Sequence, residues 1–306
     1  MQPTNRREFL RSSAFLVAGA ALASYSFDLQ QKKPLLAFST LGCPDWTFDR
    51  ITGFAVEHGY KGLEIRGLQR QMDLPKCPEF STSERRKATA KLMQAKGLAF
   101  VGLGSSANLH FPEGTERRKN LDEGRRFIDL AQEIGCPYVR VFPNNFPKDQ
   151  EKQATLDLIS QGLLELAGHA EGSNVTILME THGDLVHTDD LVTIMEGARH
   201  KHTGLVWDIT NMWSITREAP QRVYPRLRDY IRHTHIKDAR IVNGKPEYTL
   251  LGEGEVPVEA AIKELISDNY TGYYSFEWEK LWHPQLAEPE VALAHFPKAI
   301  IQMLKS

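Results

Sequence analysis

The chain has 306 residues, of which 41% are hydrophobic and 25% charged, so it is long enough to bury a large core and has the composition of an ordinary globular protein. Its formal net charge is −2 and its sequence pI is about 6.6, which provides no general attraction for a phosphate backbone. Basic residues form no stripe interleaved with aromatic residues, and we therefore expect no nucleic-acid partner.

Residues 1–23 have the order of an export signal. Arg6 and Arg7 form a pair, Phe9 and Leu10 follow them, and a run of small apolar residues ends in Ala-Leu-Ala at position 23. This order resembles a twin-arginine signal with a small-x-small cleavage site. The apolar run is too short and too rich in alanine and glycine to span a bilayer stably, so we expect no stable membrane anchor. The N-terminus thus predicts an exported, periplasmic protein.

The three cysteines, Cys43, Cys77 and Cys136, form no CxxC pair and no zinc-binding spacing. We expect inert thiols at these positions. A disulfide between Cys43 and Cys77 is left open, because the predicted compartment permits it.

From residue 34 onward, short apolar runs alternate with amphipathic stretches. The predicted strands are, in chain order, LLAFST, GLEIRG, AFVGLG, YVRVFP, VTILMET, GLVWDI, RHTHIKD and GYYSFEW. The segments between them have the periodicity of helices, and several end at a glycine directly before the next strand. Strict alternation predicts parallel strands joined by crossover helices. Eight such units match a single α/β domain over residues 34–306, a (β/α)₈ TIM barrel.

A doubly wound open sheet is the alternative architecture. Such a sheet that binds a dinucleotide has a glycine-rich phosphate fingerprint in its first strand-to-helix turn. The corresponding segment here, STLGCPDW, lacks that fingerprint. We therefore favour the barrel, with no second domain.

Ionisable residues lie at the ends of four consecutive predicted strands. Glu180 ends the fifth strand, Asp208 the sixth and Glu277 the eighth, and His235 lies in the seventh. The C-terminal ends of barrel strands meet at one rim, and three acids gathered there repel one another unless a cation joins them. Three oxygen ligands and one nitrogen suit one divalent metal ion, namely Mn²⁺, Mg²⁺ or Co²⁺, with Zn²⁺ as an alternative.

Each of these residues also has a structural explanation when it is considered alone. A strand-end acid can cap a helix or pair with arginine, and a strand histidine can be a hydrogen-bonded core residue. Their convergence on one rim is what favours a metal site. In the seventh strand, alternation places His233, His235 and Lys237 on one face.

The same segments resemble the sugar phosphate isomerase/epimerase family, a group of xylose isomerase-like barrels. The family's motifs occur here in order as LEIRG, METHGD, WDITNMW, HTHIKD, LGEGEVP and SFEWE. The resemblance implies that Glu180, Asp208, His235 and Glu277 hold the metal. It also implies that Glu180 and Glu277 are the catalytic acid/base pair on opposite faces of a sugar.

The resemblance further implies a set of substrate-binding residues. Glu64, His182, Asn211 and Lys237 occupy the matching positions, and His110, beyond the third strand, is an additional candidate. Asn211 stands where ketose epimerases usually have histidine. Because an amide cannot carry a proton at neutral pH, Asn211 can form hydrogen bonds but cannot act as an acid or base.

Such a site implies a reaction that begins with proton removal next to a carbonyl. A divalent ion polarises the carbonyl, so that a carboxylate can remove a proton from the neighbouring carbon and form an enediolate. Return of the proton gives epimerisation or isomerisation. Since sugar phosphates are largely cytoplasmic, we expect an exported enzyme to act on a small carbohydrate such as a free sugar, a polyol ketone or a keto-glycoside.

Other functions stay open from the sequence. Elimination through the same enediolate would make the protein a lyase or dehydratase that cleaves 3-keto-glycosides. A non-catalytic periplasmic sugar-binding barrel would keep the metal as a structural ion. A metal-dependent phosphoesterase would need a basic groove that this composition lacks. The oligomeric state is undetermined, and a homo-oligomer is one alternative.

Overall fold

The computed structural model describes residues 34–305 of the chain. Eight parallel strands form a closed barrel, which confirms the predicted fold. The barrel strands are β1 (Leu35–Ser39), β2 (Gly62–Ile65), β3 (Ala99–Asn108), β4 (Tyr138–Phe142), β5 (Thr176–Glu180), β6 (Thr203–Asp208), β7 (Ile231–Ile236) and, after the hairpin β8 (Asp238–Val242) and β9 (Lys245–Thr249), β10 (Tyr273–Phe276).

Helices connect the barrel strands. They are α1 (Phe48–Glu57), α2 (Ser83–Ala95), α3 (Thr115–Ile134), α4 (Lys152–His169), α5 (Thr188–Gly197), α6 (Ile209–Thr216), α7 (Pro220–Leu227), α8 (Val258–Ser267) and α9 (Pro289–Met303), with 3₁₀ turns at Thr40–Gly42 and Leu74–Lys76. Apolar residues at helical spacing form their buried faces, as Leu156, Ile159, Leu163 and Leu166 do in α4. At the end of α3, Gly135 adopts a φ of 73°, a left-handed conformation that glycine adopts without steric cost.

The first and last strands close the barrel. Phe38 in β1 lies opposite Leu63 in β2 on one side and Phe276 in β10 on the other. The final helix packs over this seam, where the rings of Phe276 and Phe296 are 4.7 Å apart. The Tyr60 hydroxyl donates a 2.7 Å hydrogen bond to the carbonyl of Leu293 in the same helix. The C-terminal segment therefore covers the junction between β1 and β10.

Strand register brings the ends of β6, β7 and β10 to one level. Asp208 lies opposite His235, and His235 lies opposite Ser275. Glu277 follows β10 directly, and its N–H donates to the carbonyl of Ile236 at 3.1 Å. The residues predicted to bind metal thus share one end of the barrel, as expected for parallel strands.

The β8–β9 hairpin was not predicted from the sequence. Its turn is Asn243-Gly244, with φ angles of 51° and 77°, as in the type I′ turns that favour this dipeptide. The hairpin is followed by the LGEGEVP segment. Asp238, the first residue of the hairpin, accepts hydrogen bonds from the backbone N–H groups of Ala239 (2.8 Å), Gly252 (2.9 Å), Gly254 (3.0 Å) and Val256 (3.3 Å).

The cysteines Cys43, Cys77 and Cys136 are all free and buried, which agrees with inert thiols and gives no disulfide between Cys43 and Cys77. Within the described part of the chain, no helix is long and apolar enough to cross a membrane. The predicted export signal, residues 1–23, lies outside the described residues.

We predict that Asp238→Asn lowers the free energy of unfolding by about 2–4 kcal/mol, because an amide group replaces one acceptor oxygen and leaves buried N–H groups unpaired. Equilibrium urea unfolding measures this loss. The control is Asp229→Asn, since the Asp229 side chain is 87% exposed, and we expect a change within about 0.5 kcal/mol. Equal stability of the two variants would show that Asp238 does not anchor the loop.

Candidate metal centre

The four predicted metal ligands converge at the C-terminal end of the barrel. One ligand atom from each of Glu180, Asp208, His235 and Glu277 lies within 4.8 Å of all the others, and all four side chains are buried. Measured from His235 Nδ1, Glu277 Oε1 is at 3.3 Å, Glu180 Oε1 at 3.6 Å and Asp208 Oδ2 at 3.8 Å. These residues come from β5, β6, β7 and the residue after β10, so neighbouring strands supply the cluster.

The ring nitrogen at the centre of this cluster fits a metal ligand. His235 is fully buried, and its Nδ1 makes no hydrogen bond to any residue that the structure describes. A buried nitrogen without a hydrogen bond is costly, and three carboxylate oxygens lie beside it. One imidazole nitrogen with three carboxylates is a suitable ligand set for a divalent ion.

The two carboxylate oxygens of Asp208 have different contacts, one with the backbone and one with the cluster. Oδ1 accepts a 2.7 Å hydrogen bond from the N–H of Asn211 and so caps helix α6, which begins at the next residue. The Asp208 N–H in turn donates to Thr181 Oγ1 at 2.9 Å. These bonds fix the carboxylate so that Oδ2 faces the cluster.

Two buried cations lie against carboxylate oxygens of the cluster. Arg140 Nε is 3.0 Å from Glu180 Oε2. Lys237 Nζ is 2.8 Å from Asp208 Oδ2 and 2.6 Å from Glu277 Oε2. Lys237 also lies 2.6 Å from Glu279, so its ammonium contacts three carboxylates. The substrate role implied for Lys237 stays a prediction, since its observed contacts are with acids.

These cations do not balance the acids completely. With neutral imidazoles, the acids exceed the nearby cations by two charges, which one divalent ion would balance. The acids are Glu180, Asp208, Glu277 and Glu279, and the cations that contact them are Arg140 and Lys237.

The buried charges shift one another's pKa values. Burial lowers the pKa of His235, but Glu277 and the other nearby carboxylates outweigh burial and raise it well above its usual value. Burial also acts to raise the pKa of Glu277, yet His235 and Lys237 hold it well below its usual range. Burial raises the pKa of Asp208. A metal ion would therefore compete with a proton on the His235 ring.

Glu64 lies on the far side of His235 from the cluster. Its carboxylate is 2.9 Å from His233 Nε2 and 3.0 Å from His235 Nε2, and Ser275 Oγ donates to it at 3.3 Å. Both carboxylate oxygens are thus engaged by protein groups. The sequence resemblance implied that Glu64 binds substrate, whereas its contacts in the structure are with two histidines and a serine.

The other predicted substrate-binding residues occupy different parts of the rim. Asn211 Nδ2 donates to Glu180 Oε1 at 3.3 Å, and so contacts the cluster directly. His182 Nδ1 is 2.8 Å from Asn144 Oδ1. His110 lines a separate cavity of about 520 Å³ that Gln150 also lines. Their contact with substrate stays a prediction.

Sequence analysis did not assign a role to Glu279 or His233. Glu279 follows Glu277 with one residue between them, and His233 precedes His235 in the same way. Period-two alternation places each pair on one side of an extended chain, and that signal would have found both residues. The contact between Glu64 and β7 crosses the barrel, so no spacing in the sequence indicates it.

We predict that Lys237→Met destabilises the metal-free protein by about 3–5 kcal/mol, because two buried carboxylates and the partly buried Glu279 lose their shared counter-ion. Mn²⁺ should then raise the melting temperature more in this variant than in the wild type. Thermal unfolding with chelator and with Mn²⁺ measures both effects. Lys263→Met, at a side chain that is 54% exposed, is the control. This account would be contradicted if Lys237→Met had wild-type stability and if Mn²⁺ raised its melting temperature by the same amount as in the wild type.

The chain is similar in sequence and in fold to several known proteins. A fructoselysine 3-epimerase from Shigella flexneri is 22% identical over 230 residues, which cover 73% of this chain and 82% of the relative. The solved structure of IolI protein with a zinc atom has a TM-score of 0.74 at 17% identity and covers 89% of this chain and 98% of its own.

A probable 3-DHS dehydratase from Bacillus anthracis has a TM-score of 0.70 at 18% identity, with 87% of this chain and 98% of that chain covered. At these identities the solved structures show the shared fold. The sequence pattern that defines the xylose isomerase-like TIM barrels matches residues 53–298. The chain therefore belongs to the xylose isomerase-like TIM barrel family.

Proposed function

We propose that the protein is a divalent-metal-dependent sugar isomerase or epimerase that removes a proton next to a carbonyl of a free sugar, polyol ketone or keto-glycoside. The observation that carries this proposal is the convergence of Glu180 and Glu277 with Asp208 and His235, whose ligand atoms lie within 4.8 Å of one another. Sequence similarity to a fructoselysine 3-epimerase supports the reaction class.

The metal ligands would be Glu180, Asp208, His235 and Glu277. When bound, a divalent ion would act as a Lewis acid on the substrate carbonyl and so make the adjacent C–H more acidic. Mn²⁺, Mg²⁺ and Co²⁺ suit the three carboxylates, and the zinc atom in IolI protein supports Zn²⁺ as an alternative.

The two glutamates would move protons on opposite sides of a substrate. Glu180 ends β5 and Glu277 follows β10, and the strands β6 and β7 lie between them in the barrel. His235 and Arg140 lower the pKa of Glu180, and His235 and Lys237 lower the pKa of Glu277, so both carboxyls favour the basic form. One glutamate would remove the proton, and the other would deliver a proton to the opposite face.

Elimination is the second candidate outcome. The first half of the reaction is the same, and loss of a group from the β-carbon then replaces return of the proton. Asn211 occupies the position of the usual epimerase histidine and cannot transfer a proton. The fold is also shared with a probable dehydratase. Both observations support elimination, and the alternative function is therefore a lyase, for which we propose 3-keto-glycosides as substrates.

We predict that the Mn²⁺-loaded protein exchanges deuterium into carbon two or three of a substrate in heavy water. Glu180→Gln and Glu277→Gln should each reduce the exchange rate by about 10²–10⁴, because a glutamine cannot remove or return a proton. Nuclear magnetic resonance of free ketoses, inososes and 3-keto-glycosides measures exchange and also separates epimerised from eliminated product.

The control for this experiment is Glu171→Gln, since the Glu171 side chain is 59% exposed and pairs with His200 at the surface. It should exchange at the wild-type rate. Wild-type exchange in both catalytic variants would refute the acid/base roles. Binding of sugars without exchange in the metal-loaded wild type would instead support the non-catalytic sugar-binding barrel.

We also propose that residues 1–23 direct export through the twin-arginine route to the periplasm, on the strength of the Arg6-Arg7 pair and the apolar run after it. We predict that a double Arg6→Lys, Arg7→Lys variant stays in the cytoplasm, because the paired arginines define the signal. Fractionation and immunoblotting of the full chain measure its location. Unchanged export of the double variant would contradict this route.

A further inference from the structure

We propose that Glu64 is a positioning residue for the metal centre, which holds His235 in the one tautomer that can present a lone pair to a metal ion among the three carboxylates. This inference rests on the proposed function. In this role Glu64 would contact the metal ligand His235 and would not bind the substrate.

Glu64 reaches His235 across the interior of the barrel. It lies in β2, and two other strands, β1 and β10, separate β2 from β7 in the closed sheet. Glu64 is 2% exposed and His235 is fully buried. A carboxylate placed so deeply is stable only when its oxygens are engaged, and both oxygens lie 3.0 Å from His235 Nε2.

The contact with Glu64 determines which ring nitrogen of His235 carries hydrogen. An ionised carboxylate can only accept hydrogen bonds, so Nε2 of His235 must be the donor. In a neutral imidazole the other nitrogen then has a free lone pair. That nitrogen, Nδ1, is the atom that faces Glu180, Asp208 and Glu277. A carboxylate behind a ligating histidine acts in this way in many metal sites.

His233 and Ser275 hold the Glu64 carboxylate in place. His233 Nε2 is 2.9 Å from Oε2, and Ser275 Oγ donates to the same oxygen at 3.3 Å. The ring of His233 is nearly perpendicular to that of His235, with an interplanar angle of 82°. This arrangement gives His233 a role in the HTH segment without making it a ligand of the four-residue cluster.

Glu64, His233 and His235 are also close enough to hold an ion of their own. That arrangement would require each Nε2 to lose its hydrogen and give up the bond to Glu64. The hydrogen-bonded geometry favours a single ion on the Nδ1 side of His235. The number of ions bound per chain distinguishes the two arrangements.

The test is the Mn²⁺ affinity of Glu64→Gln, measured by equilibrium dialysis on the full chain. Glutamine lacks the negative charge and has one acceptor oxygen where Glu64 has two, so it would hold the hydrogen on Nε2 of His235 less firmly. We expect one ion per chain and an affinity about 10–100-fold weaker than that of the wild type. The matched control is Asp190→Asn, because Asp190 is a buried acid on α5 that pairs with Lys152 at the start of α4, and its replacement should leave the affinity unchanged.

Nuclear magnetic resonance of the Zn²⁺-loaded wild type tests the tautomer without any variant. Long-range ¹H–¹⁵N correlation should show His235 protonated at Nε2 and bound through Nδ1. Three results would overturn the proposal: binding through Nε2, two ions per chain, or wild-type affinity in Glu64→Gln. If the wild type binds no divalent ion at all, the proposed function itself fails, whereas substrate exchange with unchanged affinity in Glu64→Gln refutes the positioning role alone.

Discussion

The cost of burying carboxylates governs the structure at the mouth of this barrel. An isolated buried carboxylate is strongly unfavourable, and here several approach one another closely. Arg140 and Lys237 lie against these carboxylates, and Nδ1 of the His235 ring lies beside them. The remaining negative charge is the physical reason to expect a divalent ion. The same cations hold the acids in place, so the site is preorganised by the protein.

The fold produces this arrangement through elements that also stabilise it. Asp208 caps α6 with one oxygen and presents the other to the cluster, so the helix and the site depend on the same side chain. Asp238, directly after Lys237, anchors the segment that follows the β8–β9 hairpin through four backbone N–H groups. The aromatic contacts between β10 and α9 support the strand that precedes Glu277. The positions of the cluster residues are therefore secured by local hydrogen bonds and packing.

Local sequence patterns were sufficient to predict the barrel and the set of residues at its rim. They were not sufficient to predict contacts between residues that are far apart in the chain. Strand alternation placed Glu180, Asp208, His235 and Glu277 at one end, because parallel strands in a barrel share their direction. The partner of His235 across the barrel could not be predicted, since chain spacing carries no information about contacts through the interior. The β8–β9 hairpin did have a local signal, because an Asn-Gly pair favours the type I′ turn of a two-residue hairpin loop.

The central claim is that one divalent ion binds among Glu180, Asp208, His235 and Glu277. Anomalous X-ray diffraction from crystals of the Mn²⁺-loaded protein tests it most directly. The account predicts a single manganese peak about 2.0–2.3 Å from a carboxylate oxygen of each acid and from Nδ1 of His235. It is contradicted if crystals soaked in Mn²⁺ show no peak among these four side chains while Lys237 and Arg140 keep their contacts with the acids.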